Sequence, residues 1–425
     1  MRSPATCRVS TLTIPADFTV SIYLLFVPME FLRPGFSPLA FLIRDQILRH
    51  GPVPFPWFME QALYHVQYGY YSGPRSRIGK EGDFYTNIST GTTFGQILAA
   101  QIVEMWSALG QPQDFKVVEQ GAEDGQLAED ILSAIENATN PVINFSYIIV
   151  EPMPAKRAEQ RSRLERRFPA KIHWVTAIHE LEAINGVFIS NELVDAMPVH
   201  LLEYREGRWR ELYVTCSANS FVFVDSPILL SMVAEAVGKL PVPIQTPYRT
   251  EINLNALRWI SEISSRLQRG FFLVVDYGFS RDEYYKTDRT EGTVACYSRH
   301  RRSFNPLEDP GAKDITAHVD FTSLAESAEH ARLHVAGYTD QHHFMVGATE
   351  SYLMQIELET RLTGLAPYQH RFLRKLKTLM HPANMGMAFK YLLLTTDAKL
   401  QAPSGFKFAR EPRRSLGMQP LGQAF

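Results

Sequence analysis

The chain has 425 residues, 45% of them hydrophobic and 21% charged, with a formal net charge of −2. That length and apolar content suffice for a large buried core and exclude a disordered chain or a polyelectrolyte. So small a net charge argues against nucleic acid as the main partner, because affinity for a phosphate backbone needs a clustered basic surface.

From the start of the chain, residues 18 to 27 form an apolar run too short to span a bilayer, with no small-residue cleavage site after it. Met29 opens an ordinary polar segment and is the expected start of the true chain, so residues 1–35 are expected to be an extension outside the fold. Residues 37 to 70 have helical periodicity, broken by Gly51-Pro-Val-Pro-Phe-Pro56 and followed by a glycine loop at 79 to 82. Strand signals recur at 116–119, 145–150, 171–175, 187–190, 199–204, 209–215, 221–224 and 271–276. Helical stretches fall at 126–137, 154–167, 229–239 and 251–269. This alternation predicts an α/β fold with a doubly wound, mostly parallel sheet. Residues 347 to 380 are amphipathic and helical, and are expected as an accessory layer. The stretch from about 401 reads as loosely ordered. The expected division is a helical N-terminal segment and lid over 36–115, a core over 116–346 with a helical insertion near 227–270, an accessory helical layer over 347–398 and a tail over 399–425. The five arginines between Arg157 and Arg167 are expected on a solvated helix face.

Residues 117 to 125, Val-Val-Glu-Gln-Gly-Ala-Glu-Asp-Gly, carry the most information. A β-branched run ends in the acid Glu119 and a turn through Gly121 and Gly125, then enters a helix whose N-terminus presents free N–H groups. The dinucleotide fingerprint is not met, since Glu123 and Asp124 stand where a pyrophosphate would sit. A cationic, phosphate-free ligand fits better, and S-adenosylmethionine (SAM) is such a ligand. The second strand, Phe145 to Val150, stops at Glu151, where an acid can accept both ribose hydroxyls. Expected cofactor contacts are therefore Glu119, Gly121, Ala122, Gly125 and Glu151. A lid made by Gly82-Asp-Phe-Tyr-Thr86 is expected to add Gly82, Asp83 and Thr86. The other reading of Glu119 and Glu151 is that they cap strand ends.

A third constellation, Ile189-Ser-Asn-Glu-Leu-Val-Asp-Ala-Met-Pro198, lies at the carboxyl end of the fourth strand, where an open sheet faces its ligand. Asn191, Glu192 and Asp195 are candidate catalytic residues, although Asn191 also suits an Asx-type helix cap. Ser190, Asp195 and His200 lack the nucleophile elbow of a hydrolase. His300, His342 and His343 lack partners at metal-ligand spacing. Cys7, Cys216 and Cys296 have no such spacing either, so no metal is expected and a reduced, cytoplasmic protein without disulfides is.

Several separated blocks give the chain a resemblance from about Leu39 to Tyr391. They are Tyr68-Gly-Tyr-Tyr71, Gly82 to Thr86 with Phe94-Gly95, Val118 to Ala122 with Gly125, Asn191-Glu192 with Asp195-Ala196 and Pro198-Val199, Asp276-Tyr-Gly278, and Gly311 with Asp314-Ile-Thr-Ala-His-Val-Asp-Phe321. With these blocks the sequence resembles the MidA family of SAM-dependent methyltransferases, whose mitochondrial members are complex I assembly factors. The resemblance implies a Rossmann-like class I methyltransferase fold and, for the mitochondrial members, a protein arginine as acceptor. Glu192 and Asp195 then serve as the carboxylates that localise the guanidinium charge. Glu123 replaces a glycine frequent in the family, so a SAM-fold scaffold that assists complex assembly stands beside the active enzyme. A protein substrate is expected, with neither nucleic acid nor membrane as partner; the oligomeric state is left open.

Overall fold

In the computed structural model the described residues are 37–72, 87–137, 144–218, 220–298 and 301–419. Gly82, Asp83 and Thr86 fall outside them, and the expected lid with them.

The central sheet is assembled from strands spread over most of the chain. Its strands are β1 (Phe115–Gln120), β2 (Phe145–Val150), β3 (Ile172–Val175), β4 (Ile184–Asn191), β5 (Leu267–Phe279), β6 (His334–Asp340) and β7 (Phe389–Thr395). Their spatial order is β6-β7-β5-β4-β1-β2-β3, and Val319–Asp320 adds a short eighth strand beside Gly278–Phe279. The contacts among β5, β4, β1, β2 and β3 are parallel, whereas β7 runs antiparallel to both neighbours. Burial on both faces explains the continuous apolar runs, since Val117, Tyr147, Val187 and Phe271 pack on one face and Val118, Phe188, Phe272 and Val274 on the other.

Helices α1 (Pro38–His50) and α2 (Phe55–Tyr64) precede the sheet, and α3 (Thr93–Ala108) leads into it. In α4 (Gln126–Glu136), Leu127, Ala128, Ile131, Leu132 and Ile135 are buried, the spacing of a single helix face. Across the same sheet face, a Cβ on Gly95 would come within 2.4 Å of the Asp130 Cβ, so that glycine lets α3 lie close to α4. The remaining longer helices are α5 (Pro154–Leu164), α6 (Leu254–Arg266), α7 (Phe321–His330), α8 (Gln341–Thr363) and α9 (Pro367–Met380), with short ones at Ser231–Val237, Arg281–Tyr284 and Pro412–Ser415.

Three expectations change. The insertion near 227–270 holds helices at Ser231–Val237 and Leu254–Arg266, but Tyr248–Ile252 between them is a strand of a second, antiparallel sheet made with His200–Arg205, Arg208–Ser217, Ser220–Ser226 and Val53–Pro54. Residues 251 and 252 are therefore strand, because cross-strand bonding to 200 and 201 overrides helical propensity there. The accessory region contains an integral strand, β7. The tail is docked through residue 419: Leu416 is fully buried and its carbonyl accepts the Thr322 hydroxyl at 2.6 Å, while Phe406 packs edge-on to Phe344.

Candidate active site

The carboxyl ends of β1, β2, β4 and β5 lie side by side, so the parallel register gathers the turns that follow them. Val118 pairs with both Ile148 and Phe188, and Asn191 pairs with Val275.

After β1, the chain turns through Gly121 (φ 85°), Glu123 (φ 49°) and Gly125 (φ 83°), and Gly125 caps α4. Glu123 thus adopts the left-handed conformation that a glycine takes more cheaply. Its carboxylate is neutralised by Lys156 (Nζ to Oε1, 2.5 Å), and its carbonyl accepts from Gln160 Nε2 at 2.8 Å. Asp124 caps the Gln126 N–H at 3.0 Å and pairs with Arg163 at 2.7 Å. Cations of α5 therefore quench the acids that made this turn look repulsive. Arg163 and Arg167 also hold Glu129, so these arginines are partners of the turn and α4, not a merely solvated face. Ala122 is buried beneath the turn.

Glu151, after β2, is 7% exposed, and its oxygens accept from the Met153 N–H (2.9 Å) and Gln160 Nε2 (3.2 Å). Burial raises its pKa above the usual carboxylate value, with the donors opposing. Each oxygen keeps capacity for a second donor, as two ribose hydroxyls require. Glu119 is placed differently from the expectation of a cofactor contact. It is 2% exposed and accepts the Tyr147 hydroxyl at 2.8 Å, because alternation along β1 turns it to the same sheet face as Val117. Burial pushes its pKa to about 7. It supports the turn from beneath.

After β4, the acid loop is fixed mainly by its backbone. Asp276 of β5, fully buried, accepts through Oδ2 the N–H groups of Leu193 (3.2 Å), Val194 (2.8 Å) and Asp195 (3.3 Å). The Ala196 carbonyl accepts from the Tyr64 hydroxyl at 3.0 Å, and the Pro198 carbonyl from Asn255 at 2.9 Å. Glu192, at φ 53°, accepts from the Asn87 N–H (3.3 Å) and Asn191 Nδ2 (3.1 Å) through one oxygen and from the Tyr277 hydroxyl (2.7 Å) through the other. Desolvation raises its pKa to about 7, with Asp276 adding to the rise. Asp195 is buried, and its pKa is raised by desolvation first, then by the charges of Asp276, Asp314 and Glu192. The structure thus gathers Asn191, Glu192 and Asp195, and adds Asp276, Asn87 and Tyr277, which the sequence had not marked as site residues, together with Asp314, whose alternation with Ile315 and Ala317 leaves it readable in the sequence either as structural or as facing the acceptor. The signal for Asp276 was an acid at the end of a strand that is otherwise wholly apolar from Phe271 to Val275.

Several buried polar atoms of this region are without partners. The Asn87 side chain, the Ser190 hydroxyl and Asn191 Oδ1 are buried and make no hydrogen bond. Such atoms are costly unless a ligand or water meets them. A polar ligand held by a glycine turn after the first strand, an acid after the second and an amide-rich loop after the fourth has the demands of SAM, and these residues fit it. Among the described residues, no three histidine, cysteine or acidic side chains are grouped to hold a metal, and no helix is long and apolar enough to cross a membrane.

Sheet order and site together define a class I SAM-dependent methyltransferase. Residues 97–339 match the model of a family described as S-adenosyl-L-methionine-dependent methyltransferases, and the chain belongs to that family. A Burkholderia thailandensis protein solved with S-adenosyl-homocysteine is 31% identical, with a TM-score of 0.77 over 88% of this chain and 95% of that one. A Drosophila melanogaster protein named as a mitochondrial protein arginine methyltransferase NDUFAF7 homolog is 28% identical over 85% of each chain. The Homo sapiens protein arginine methyltransferase NDUFAF7, mitochondrial, is 26% identical over 90% of this chain and 89% of its own. The MidA resemblance, the class I fold, the methyltransferase activity and SAM as cofactor are thereby borne out. The cytoplasmic location is overturned, since these relatives are mitochondrial and point to mitochondria. Cysteine usage indicates a reducing compartment and does not distinguish between such compartments.

Proposed function

We propose that the chain methylates a guanidinium nitrogen of a protein arginine, with Glu192 and Asp195 orienting the acceptor and Asn191 fixing the loop beside the methyl group. The observation that supports this most is the gathering of Glu192, Asp195, Asp276 and Asp314 near the glycine turn, next to the partnerless Asn87 amide and the partnerless Oδ1 of Asn191. The two curated relatives named above, described as protein arginine methyltransferases, support the same acceptor. On this reading, Gly121, Ala122 and Gly125 line the cofactor's amino-acid portion and Glu151 holds its ribose. When bound, SAM supplies an electrophilic methyl carbon and leaves as S-adenosylhomocysteine (SAH).

The residues then have two tasks. A guanidinium is protonated at any working pH, and its nitrogen becomes a usable nucleophile only when carboxylates draw the positive charge to the other nitrogens. Glu192, poised near pH 7 by desolvation, can also accept the proton that the methylated nitrogen sheds. Holding nitrogen, methyl carbon and sulfur in line contributes up to about 7–11 kcal/mol in favourable cases. The scaffold reading loses its main motive, because the Glu123 carboxylate is held by Lys156. The test is to incubate a mitochondrial lysate with the protein and SAM carrying a labelled methyl group, and to map the label by mass spectrometry. Label on arginine of a discrete protein is expected; label only on other residue types, or no label despite SAM binding, overturns the proposal.

A further inference from the structure

Facing the acid loop is a group of side chains from outside the methyltransferase sheet. Tyr64, at the end of α2, and Tyr71, in the turn Tyr70–Ser72, stack with ring centroids 5.4 Å apart and planes 22° from parallel. The Tyr71 hydroxyl donates to Asp314 Oδ1 at 3.0 Å, and the Tyr64 hydroxyl to the acid-loop carbonyl of Ala196. Asp314 is 4% exposed on a short strand, Asp314–Thr316, that pairs with Ala295–Ser298 in a separate three-stranded sheet. Its charge reaches both ways: it helps raise the pKa of Asp195, and it acts together with Asp195 and Glu151 on the Tyr64 phenol. The tyrosine pair is thereby tied by its two hydroxyls to both Asp314 and the acid loop.

Buried carboxyl groups placed this close raise one another's pKa, a cost that a well-packed apolar chamber would avoid. A bound cation relieves that repulsion. The partnerless amide atoms of Asn87, whose backbone N–H donates to Glu192, point independently to a missing polar guest. Glu192 and Asp195 lie on one loop, so they engage one edge of such a guest, whereas Asp314 arrives on another element. A guanidinium is planar, donates from more than one edge and lies readily against aromatic rings; the three N–H groups of an ammonium radiate from a single atom, so it cannot span acceptors set at two edges of a plane.

We propose that Tyr64, Tyr71 and Asp314 form a selectivity arm, in which Asp314, aimed by the Tyr71 hydroxyl, takes the edge of the guanidinium remote from the methyl group and the stacked phenols lie against one face of its plane. This rests on the arginine reading above. Asp314 is a specificity residue that binds substrate, and Tyr71 is a positioning residue that acts through it.

The test needs no acceptor protein. Calorimetry on the full chain compares an adenosyl compound whose 5′ substituent ends in an alkyl guanidinium with the same compound ending in an ammonium, and measures SAH in parallel. The unsubstituted protein is expected to prefer the guanidinium compound by at least about tenfold, on the scale of a charge-assisted contact. Asp314→Asn is expected to bring that preference within about twofold while SAH affinity stays unchanged. Tyr71→Phe, which keeps the ring stack, is expected to lie between. The inference is overturned if Asp314→Asn retains the full preference, or if both variants lose SAH affinity as much as guanidinium affinity, the pattern of a purely structural pair. If the unsubstituted protein binds SAH but shows no preference, the arginine reading falls along with the arm. Should Asp314→Asn fail to fold, Tyr71→Phe decides, because loss of preference with unchanged SAH affinity has no structural explanation.

Discussion

The glycine turn and the acid loop stand side by side, yet they are built in opposite ways. The turn is contiguous backbone, Gly121 to Gly125, shaped by three left-handed residues and backed by cations from a single helix. The loop's acids are set by distant groups, above all the four backbone N–H groups, those of Tyr277 and three loop residues, that converge on Asp276. A site made of backbone tolerates changes of side-chain charge and fails when its dihedral angles are blocked; a site made of buried carboxyl groups does the reverse.

Substitutions can break that contrast. Gly121→Val should produce the largest effect, because valine resists φ 85° and its Cβ would lie 3.2 Å from the Leu193 Cβ. SAM affinity is expected to fall by more than about a hundredfold, as for any multi-kcal/mol strain; a folded variant that binds SAM normally would remove the turn from the cofactor site. Next is Glu192→Gln, which keeps the shape and loses the charge. Methyl transfer should drop by at least about a hundredfold while SAM binding stays within a few-fold, as when an interaction serves the transition state. Full turnover, or equal loss of SAM binding, would return Glu192 to the fold or the cofactor pocket.

Proton linkage separates the regions more gently. Glu119 and Glu192 both have folded pKa values raised by burial to about 7, above the 4.5 ordinary for a glutamate. The fold therefore favours their protonated forms: their contribution is fully present below about pH 4.5 and is lost as pH rises through 7. The thermal midpoint should decline between pH 5 and 8, and Glu119→Gln, which can still accept from Tyr147, should flatten that decline. A midpoint that rises over this interval would contradict the assignment. The smallest effect is expected from Glu123→Gly. With its carboxylate already neutralised by Lys156, removing it should change the SAM dissociation constant by no more than about threefold, the scale of a partly exposed ion pair; a tenfold gain would show that Glu123 does repel the cofactor.

The same contrast decides what could be read from the sequence. Phe145 to Val150 and the turn at 121–125 are legible because each carries its signal within a few adjacent residues. The α3 helix escaped notice because most of Thr93–Ala108 is apolar and so shows little periodicity, and β7 because Phe389 to Thr395 follows directly on a helical stretch. Glu119 looked like a ligand because an acid ends its strand, but a one-residue alternation decides which face it joins, and it joined that of Tyr147. Asp276 and Asp314 are 81 and 119 residues beyond Asp195, so only the folded chain brings their charges to it.

The contact between Gly121 and Leu193 means that the two halves of the site are not thermodynamically independent. Leu193 sits on the acid loop with its N–H on Asp276, so pressure applied at the turn is delivered to the loop's anchor. Substitutions at Gly121 and Leu193 should then have free-energy effects that do not sum: trimming Leu193 to alanine restores part of what a side chain at 121 takes away. A double-mutant cycle would give a coupling energy of about 0.5–3 kcal/mol for such touching residues, where sites far apart give almost none.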